Sequence, residues 1–365
     1  MAETAALPGS KRILVAPLDW GLGHATRCVP IIRELQAQGA EVIIAADRGP
    51  LALLKEEFPG APTVRFPGYE IDYPTDGGMV LHFAKQVPRI VRKIGREHRM
   101  LQRLIREQAL DGVISDNRFG LWSDDIPCAY ISHQLRIKSP VMEPGLVWLH
   151  SRYINRYRFC LVPDNAAEPS LAGELVHSRL LPANGAYIGP LSRMVPQAEA
   201  TDKRHEVMAI ISGPEPQRSH FESLVLAQLK QLDAPSLLVR GVPGDHVVRQ
   251  EGPVTVRGHL NAQDMQAAML ASRLILSRSG YSTLMDLATL GLPAVLVPTP
   301  GQTEQEYLAR YHREQGHYFS MDQRSFDLEA MRAAASDYPG IRLNGNGAGL
   351  TAAVTALLQN IPETN

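Results

Sequence analysis

Short apolar runs recur along the chain, and stretches whose apolar residues fall at helical spacing separate them. The strands that we predict from these runs occupy residues 11–17, 41–46, 112–115, 128–132, 159–163, 207–211, 236–240, 254–256, 274–277, 294–297 and 316–319. Continuous apolar runs of this length are typical of parallel strands that are buried on both faces of a sheet. The alternation therefore predicts an α/β fold with two doubly wound, Rossmann-like domains.

A stretch of small and polar residues divides the two sets of runs. We place an N-terminal domain at residues 11–190, a linker at 191–204 and a C-terminal domain at 205–345. Residues 346–365 form a last helix that is expected to pack back on the N-terminal domain. A chain of 365 residues exceeds the size of one ordinary hydrophobic core, which agrees with two domains.

The clearest local pattern runs from residue 274 to 311 and predicts a strand, a turn, a helix, a strand and a polar loop that opens another helix. Ser279 and Gly280 form the turn, the hydroxyls of 281–283 can cap the helix, and Gly291 ends it. A helix N-terminus at the carboxyl edge of a sheet can bind an anion. The alternative is that the same residues only cap the helix and bind no ligand.

A glycine-rich turn also follows the first apolar run. Gly21 and Gly23 precede His24, and residues 25–38 have helical spacing. A histidine can serve here as a general base, because its pKa lies near working pH. The alternative is a structural histidine in a helix cap.

Two further ionisable residues end predicted strands of the same sheet. Asp116 follows the run at 112–115, and His133 follows the run at 128–132. The carboxyl ends of parallel strands meet at one edge, so both side chains are expected beside His24. We expect Asn117 and Arg118 only to shape the loop.

Basic residues repeat at helical spacing between Lys85 and Arg106, with apolar residues on the other face. The pattern predicts an amphipathic helix that begins at Pro88, after a long loop at 66–80. Its basic face can contact anionic lipid headgroups or an acidic acceptor. A solvated surface helix is the alternative.

Composition and charge limit the kinds of partner and the cellular location that we expect. The chain is 44% hydrophobic and 21% charged with a net charge of −1, which gives no reason to expect nucleic acid binding. Its three cysteines have no paired or metal-ligand spacing, and the first ten residues lack signal-peptide features. No apolar run is long enough to span a bilayer. We expect a cytoplasmic protein, with a peripheral position at the inner membrane face as a hypothesis.

The pattern SRSG-x-x-T-x-x-D, followed by GLP-x-x-x-VP and Q-x-x-Q-x-Y, resembles the donor-sugar signature of the MurG-like glycosyltransferases. These enzymes have the GT-B fold and are related to the UDP-glycosyltransferases. The resemblance is specific over residues 254–311 and weak elsewhere. The family usually has Glu where Asp286 stands and Gln where Glu306 stands, so the sugar or nucleotide that fits can differ.

The resemblance implies roles for individual residues. The turn around Gly280 would hold the donor diphosphate, Asp286 the ribose and Gln305 with Glu306 the sugar. Arg218 would reach the diphosphate. The implied donor-binding set is Gly23, Ser212, Gly213, Arg218, His259, Leu260, Ser279, Gly280, Tyr281, Ser282, Thr283, Asp286, Gln302, Gln305 and Glu306.

The implied reaction is an inverting, metal-independent transfer from a nucleotide-sugar, most simply a UDP-sugar, to a hydroxyl of a lipid-linked or cell-envelope glycan. His24 would deprotonate the acceptor and Asp116 would orient His24, while His133 resembles the start of a His-Glu-Gln-Asn segment of the peptidoglycan enzyme. We find no Asp-x-Asp triplet or Cys/His cluster, and therefore expect no metal or other cofactor. Two alternatives stay open: a sugar-nucleotide hydrolase of the same fold and a non-catalytic sugar-nucleotide-binding subunit.

Overall fold

The computed structural model describes residues 10–68, 79–136, 150–177, 181–197, 202–343 and 347–362. The chain forms two compact units. The first comprises Met1–Trp20, Cys28–Gly189 and Asn346–Asn365, and the second comprises Gly21–Arg27 and Pro190–Gly345. The division after Gly189 lies close to the predicted one, but the short segment 21–27 groups with the second unit.

A parallel sheet of seven strands forms the centre of the first unit. Its strands are β1 (Arg12–Pro17), β2 (Glu41–Ala46), β3 (Thr63–Arg65), β4 (Gly112–Asp116), β5 (Cys128–Ile131), β6 (Phe159–Val162) and β7 (Gly185–Tyr187). The spatial order is β3-β2-β1-β4-β5-β6-β7, and every neighbouring pair is parallel. The order reverses direction at β1, so the open crevice of a doubly wound sheet lies at the carboxyl ends of β1 and β4.

Helices α1 (Leu22–Ala37), α2 (Arg48–Glu57) and α3 (Met79–Glu107) follow these strands. The inward face of α1 is fully buried at Val29, Ile32 and Leu35, as its helical spacing predicts. The predicted start of the third helix was wrong, because α3 begins at Met79 and continues through position 88. Most of the predicted loop at 66–80, residues 69–78, lies outside the described residues.

The second unit contains another seven-stranded sheet. Its strands are β8 (His205–Ile210), β9 (Ser236–Val239), β10 (Val248–Glu251), β11 (Val254–Arg257), β12 (Ser272–Ser277), β13 (Ala294–Leu296) and β14 (Phe319–Ser320). The order is β10-β11-β9-β8-β12-β13-β14, and only the β10–β11 pair is antiparallel. The predicted strand at 316–319 was misplaced: Gly316 has a φ of +70° and lies in a left-handed turn, and the strand β14 begins only at Phe319.

Five helices of the second unit are α4 (Gln217–Leu229), α5 (Ala262–Leu270), α6 (Tyr281–Leu290), α7 (Thr303–Glu314) and α8 (Leu328–Ala334). Phe221 of α4 is fully buried in a core with Leu276 of β12 and Met331 of α8. The two units thus repeat one doubly wound design, and the predicted fold class is confirmed.

The last helix, α9 (Ala348–Gln359), belongs to the first unit. Gln38 at the end of α1 donates to the carbonyl oxygen of Thr351 at 3.2 Å and accepts from the hydroxyl of Thr355 at 3.1 Å. A Cβ atom added to Gly349 would lie 2.7 Å from the carbonyl oxygen of Ile188. The helix therefore packs so closely on the end of this unit that a glycine is required at the contact.

Candidate functional site

The N-terminus of α6 is open at the carboxyl edge of the second sheet. Gly280 is the N-cap residue, with φ −76° and ψ 138°, and no side chain caps the helix. A Cβ atom added to Gly280 would meet no atom within 4 Å. The helix ends at Gly291 in the left-handed conformation, as predicted. The first turn of α6 therefore has no capping side chain and has room beside Gly280, which suits an anion.

The predicted caps of α6 were wrong, because its hydroxyls bind elsewhere. Ser282 donates to the carbonyl oxygen of Gly23 at 2.8 Å, and buried Ser279 donates to the carbonyl oxygen of Gln305 at 2.8 Å. Thr26 also donates to the Gly23 carbonyl, at 2.9 Å. A Cβ atom on Gly23 would lie 2.9 Å from the Ser282 hydroxyl oxygen, so a side chain there would disturb this contact.

His24 lies in the first turn of α1, beside a buried arginine. The Nδ1 atom of His24 is 2.7 Å from a terminal guanidinium nitrogen of Arg27. A guanidinium can only donate, so Nδ1 must accept. A neutral imidazole in this arrangement carries its proton on Nε2. His24 can take up a proton at Nε2 only after Arg27 has moved away from Nδ1.

The loop after β13 is fixed by the side chains that were predicted to hold the sugar. Gln305 accepts from the backbone N–H of Thr299 at 2.9 Å through Oε1, and Glu306 accepts from the N–H of Gly301 at 2.8 Å. Gln302 is the N-cap residue of α7, without a side-chain cap. These bonds shape the loop, and the sugar roles of Gln305 and Glu306 and the donor-binding role of Gln302 stay predictions.

Arg218, at the start of α4, is surrounded by carboxylates. It donates through Nε to Glu215 at 2.8 Å and through a terminal nitrogen to Glu222 at 2.7 Å. Glu222 also pairs with Arg240 at 2.7 Å. Two carboxylates neutralise the Arg218 charge, which weakens the prediction that it binds the diphosphate. The spacing of both acids from Arg218, i−3 and i+4, is a helical ion-pair signal that sequence reasoning missed.

The other predicted donor-binding residues, those that follow β8 and β11, lie in loops at the same edge. Ser212 and Gly213 follow β8, and Gly213 has a φ of +114°, which favours glycine. His259 and Leu260, 8% and 6% exposed, lie between β11 and α5. Their contacts with a donor stay predictions.

Asp286 of α6 is held by the segment that enters the second unit. The Ser192 hydroxyl donates to its Oδ1 at 2.6 Å, and Nε of Arg193 lies 3.8 Å from its Oδ2. Burial raises the pKa of the Asp286 carboxyl, and Arg193 and Ser192 oppose this rise. A ribose at this carboxylate would have to share it with Ser192. Sequence reasoning missed both partners, which lay in the predicted linker.

Asp116 and His133 belong to the first unit. Asp116 ends β4 and pairs in register with Ile131 of the neighbouring parallel strand β5, two residues before His133. Both side chains are buried, at 0% and 7% exposure, and Oδ2 of Asp116 lies 3.9 Å from Sγ of Cys28. The structure places both at one sheet edge, whereas His24 groups with the second unit. The proposed bond between Asp116 and His24 stays a prediction.

A buried ion pair stands next to Asp116. Arg118 is fully buried and donates to Oε1 of Glu97 at 2.8 Å and to the carbonyl oxygen of Pro17 at 2.8 Å. Burial raises the pKa of Glu97 to about 7, although Arg118 opposes the rise. Asn117, between Asp116 and Arg118, has a left-handed φ of +58°. Arg118 thus fixes a strained loop, in agreement with its expected shaping role.

The outer face of α3 carries a row of exposed arginines at positions 89, 92, 96, 99, 103 and 106. Ile94, Leu101 and Leu104 are buried on the opposite face. The predicted amphipathic character is therefore present over the described side chains. None of the described helices is both long enough and apolar enough to cross a membrane.

Within the described ranges, no group of three or more His, Cys, Asp or Glu side chains is placed to hold a metal ion. Metal independence stays a prediction.

Comparison with known proteins finds a family match over part of the chain. Residues 251–337 match the Glycosyltransferase family 28 C-terminal domain. The UDP-N-acetylglucosamine--N-acetylmuramyl-(pentapeptide) pyrophosphoryl-undecaprenol N-acetylglucosamine transferase of Methylobacterium radiotolerans is 51% identical over 47 residues, which are 13% of this chain and 13% of that protein. The chain is thus matched to only a small part of this relative.

Solved structures with low identity show the same fold. MurG of Acinetobacter baumannii is 15% identical, with a TM-score of 0.51 over 96% of this chain and 95% of that chain. The spinosyn rhamnosyltransferase SpnG, complexed with thymidine diphosphate, is 17% identical, with a TM-score of 0.58 over 96% of each chain. These likenesses confirm the GT-B fold, and the family match confirms the MurG-like resemblance in the segment that contains Gly280.

Proposed function

Because residues 251–337 match a glycosyltransferase family 28 C-terminal domain, we propose that this protein is a glycosyltransferase that moves a sugar from a nucleotide-sugar to a hydroxyl acceptor, with inversion and without a metal ion. The observation that carries the proposal is the open N-terminus of α6 at Gly280. A helix N-terminus without a capping side chain offers N–H groups and a positive dipole end to a diphosphate. The donor is proposed to be a UDP-sugar.

In the proposed reaction the acceptor oxygen attacks the anomeric carbon from the face opposite the diphosphate. The bond from that carbon to the diphosphate oxygen breaks, and its electron pair leaves with the diphosphate. His24 takes the hydroxyl proton at Nε2, which requires Arg27 to release Nδ1. The N-terminus of α6 stabilises the charge that develops on the leaving group. Asp116 is proposed to orient His24 in this state.

A thermal-shift screen tests whether the protein binds such a donor. The panel contains UDP, dTDP, ADP, GDP and a set of UDP- and dTDP-sugars. A ligand at about 100 times its Kd stabilises the folded state by roughly 2.7 kcal/mol. We expect a shift with the diphosphates and no shift with the matching nucleosides at equal concentration. A panel without any shift contradicts the proposal.

Metal independence is tested on the donor and acceptor pair that the screen supports. Activity is expected to be unchanged by EDTA. Loss of activity with EDTA and its return with manganese would show that a metal supplies the charge stabilisation that we assign to the helix.

The contact between Arg27 and His24 supports a second candidate, a sugar-nucleotide-binding subunit without catalysis, because Nε2 carries the proton in that arrangement. His24→Ala separates the two functions. Loss of transfer with intact nucleotide binding favours the enzyme, and unchanged activity of a reconstituted system favours the subunit. A hydrolase of the same fold is recognised by stoichiometric release of free sugar from the donor without an acceptor.

The arginine row of α3 is proposed to contact an anionic membrane surface, which suits a lipid-linked acceptor. Its six arginines are exposed along one face of the helix. Each basic residue near such a surface contributes about 1 kcal/mol. In co-sedimentation, the double variant Arg99→Glu/Arg103→Glu is expected to lose binding to vesicles with anionic lipid. The control Arg249→Glu/Arg310→Glu reverses two exposed arginines of the second unit and is expected to keep it. Equal binding of wild type to neutral and anionic vesicles removes the proposal.

A further inference from the structure

A second arginine at the carboxyl edge of the second sheet differs from Arg218 in its surroundings. Arg278 directly follows β12 and is 1% exposed. One terminal nitrogen donates to the carbonyl oxygens of Val297 at 3.2 Å and Pro298 at 3.0 Å. The other donates to Oε1 of Gln323 at 2.6 Å and to the carbonyl oxygen of Gln217 at 3.4 Å. All four acceptors are uncharged.

Arg278 also packs against an uncharged side chain. Its guanidinium carbon lies 3.8 Å from the centroid of the Phe221 ring. Among the described residues, no carboxylate oxygen lies within the 4.0 Å ion-pair distance of this guanidinium. Burial lowers the pKa of Arg278 to about 10, which still leaves the group protonated at neutral pH. One full positive charge is therefore buried here without a balancing negative charge.

The positive charge of Arg218, in contrast, is balanced by carboxylates. It pairs with Glu215 and with Glu222, and Glu222 is shared with Arg240. The net charge of that cluster offers little attraction to an anion. A charge inside a protein acts through a lower dielectric than water, so an unbalanced charge attracts a nearby anion more strongly than a paired one does.

We propose that Arg278, and not Arg218, supplies the side-chain positive charge that favours the donor diphosphate. This inference rests on the proposed nucleotide-sugar function. Arg278 is a positioning residue, since it is too deeply buried to touch a ligand. It acts through the turn that it precedes, Ser279 and Gly280, and its bonds join that turn to the segments that begin α4 and precede α7.

The test compares affinities for UDP and for uridine, measured by calorimetry with competition where binding is weak. Arg278→Gln removes the charge, and Arg278→Lys keeps it with fewer hydrogen bonds. Arg218→Gln is the matched control at the same sheet edge. Since uridine has no phosphate, a loss of charge lowers the affinity for UDP without a matching change for uridine.

Arg278→Gln is expected to weaken UDP binding on the order of tenfold and to leave uridine binding within about twofold. Arg278→Lys and Arg218→Gln are expected to keep the UDP-to-uridine ratio within about threefold of wild type. Equal losses for UDP and uridine in Arg278→Gln would assign Arg278 to structure alone and overturn the proposal. If Arg278→Gln does not fold, a tenfold fall of the ratio in Arg278→Lys overturns it.

The nucleotide-sugar function and the role of Arg278 would be contradicted by different results. A wild-type protein that binds neither UDP nor dTDP contradicts the nucleotide-sugar function and this inference together. A wild-type protein that binds UDP, with a larger loss in Arg218→Gln than in Arg278→Gln, contradicts this inference and leaves the function standing.

Discussion

Replacement of Glu97 by glutamine should change how stability depends on pH. Burial raises the pKa of Glu97 from 4.5 to about 7. Between these two values the folded protein keeps a proton that the unfolded chain has released. The free energy of unfolding therefore falls as the pH rises through this window. At about 1.4 kcal/mol per pKa unit, the loss is about 3 kcal/mol and is complete near pH 8.

Glu97→Gln has no such titration, so the quantity to compare is the free energy of unfolding of wild type minus that of the variant. We expect this difference to fall by about 3 kcal/mol from pH 4.5 to pH 8. Urea unfolding followed by tryptophan fluorescence measures it, because Trp20 and Trp122, the tryptophans among the described residues, belong to the first unit.

Glu107→Gln is the control, since Glu107 is exposed on the same helix. Its difference from wild type is expected to be nearly independent of pH. A flat difference for Glu97→Gln would refute the raised pKa. A difference that grows with pH would mean that the ion pair with Arg118 outweighs the cost of burial.

Two other substitutions test the packing of the first unit by the same assay. Arg118→Met leaves its carboxylate partner buried and should lower the free energy of unfolding by about 3–5 kcal/mol. The control Arg92→Met, on the exposed face of α3, should change this free energy by less than about 0.5 kcal/mol. A loss below about 1 kcal/mol for Arg118→Met would contradict the buried pair. Gly349→Ala places a Cβ atom 2.7 Å from a backbone oxygen and should cost about 1–3 kcal/mol. Gly60→Ala, where a Cβ atom meets nothing within 4 Å, is its control, and equal effects would contradict the close packing of α9.

The central strands could be predicted from the sequence because each contains a short run of mainly apolar residues that is buried in the sheet. The strands β3, β7 and β10 were missed. Each has only three or four residues and lies at or next to a sheet edge, and β10 is the polar stretch VRQE. Short edge strands bury few side chains, so their pairing leaves little trace in the pattern.

The candidate site was predictable in its position but not in its contacts. Gly280 could be located because a glycine between a buried strand and a helix is a local signal. The partners of Arg278 are carbonyl oxygens from two separate segments and the side-chain oxygen of Gln323, and backbone acceptors have no sequence signature. The burial of Glu97, in contrast, has a sequence signature. Glu97 lies three residues after Ile94 and four before Leu101, on the apolar face of α3.

The central claim is that the N-terminus of α6 holds the donor diphosphate, and Gly280→Asp tests it most directly. Aspartate is a favourable N-cap residue and complements the helix dipole, so the stability of the variant should be unchanged or higher by up to about 1 kcal/mol. Its carboxylate would stand where the diphosphate binds, and like charges at about 4 Å repel by roughly 4 kcal/mol at an effective dielectric constant of 20.

The measurement is a calorimetric titration of UDP and of dTDP into wild type, Gly280→Asp and the neutral control Gly280→Asn. The account predicts that wild type binds at least one diphosphate, that Gly280→Asp loses at least about 100-fold in affinity while it stays folded, and that Gly280→Asn loses less. Wild-type affinity in a folded Gly280→Asp protein would show that the diphosphate, if bound, lies elsewhere.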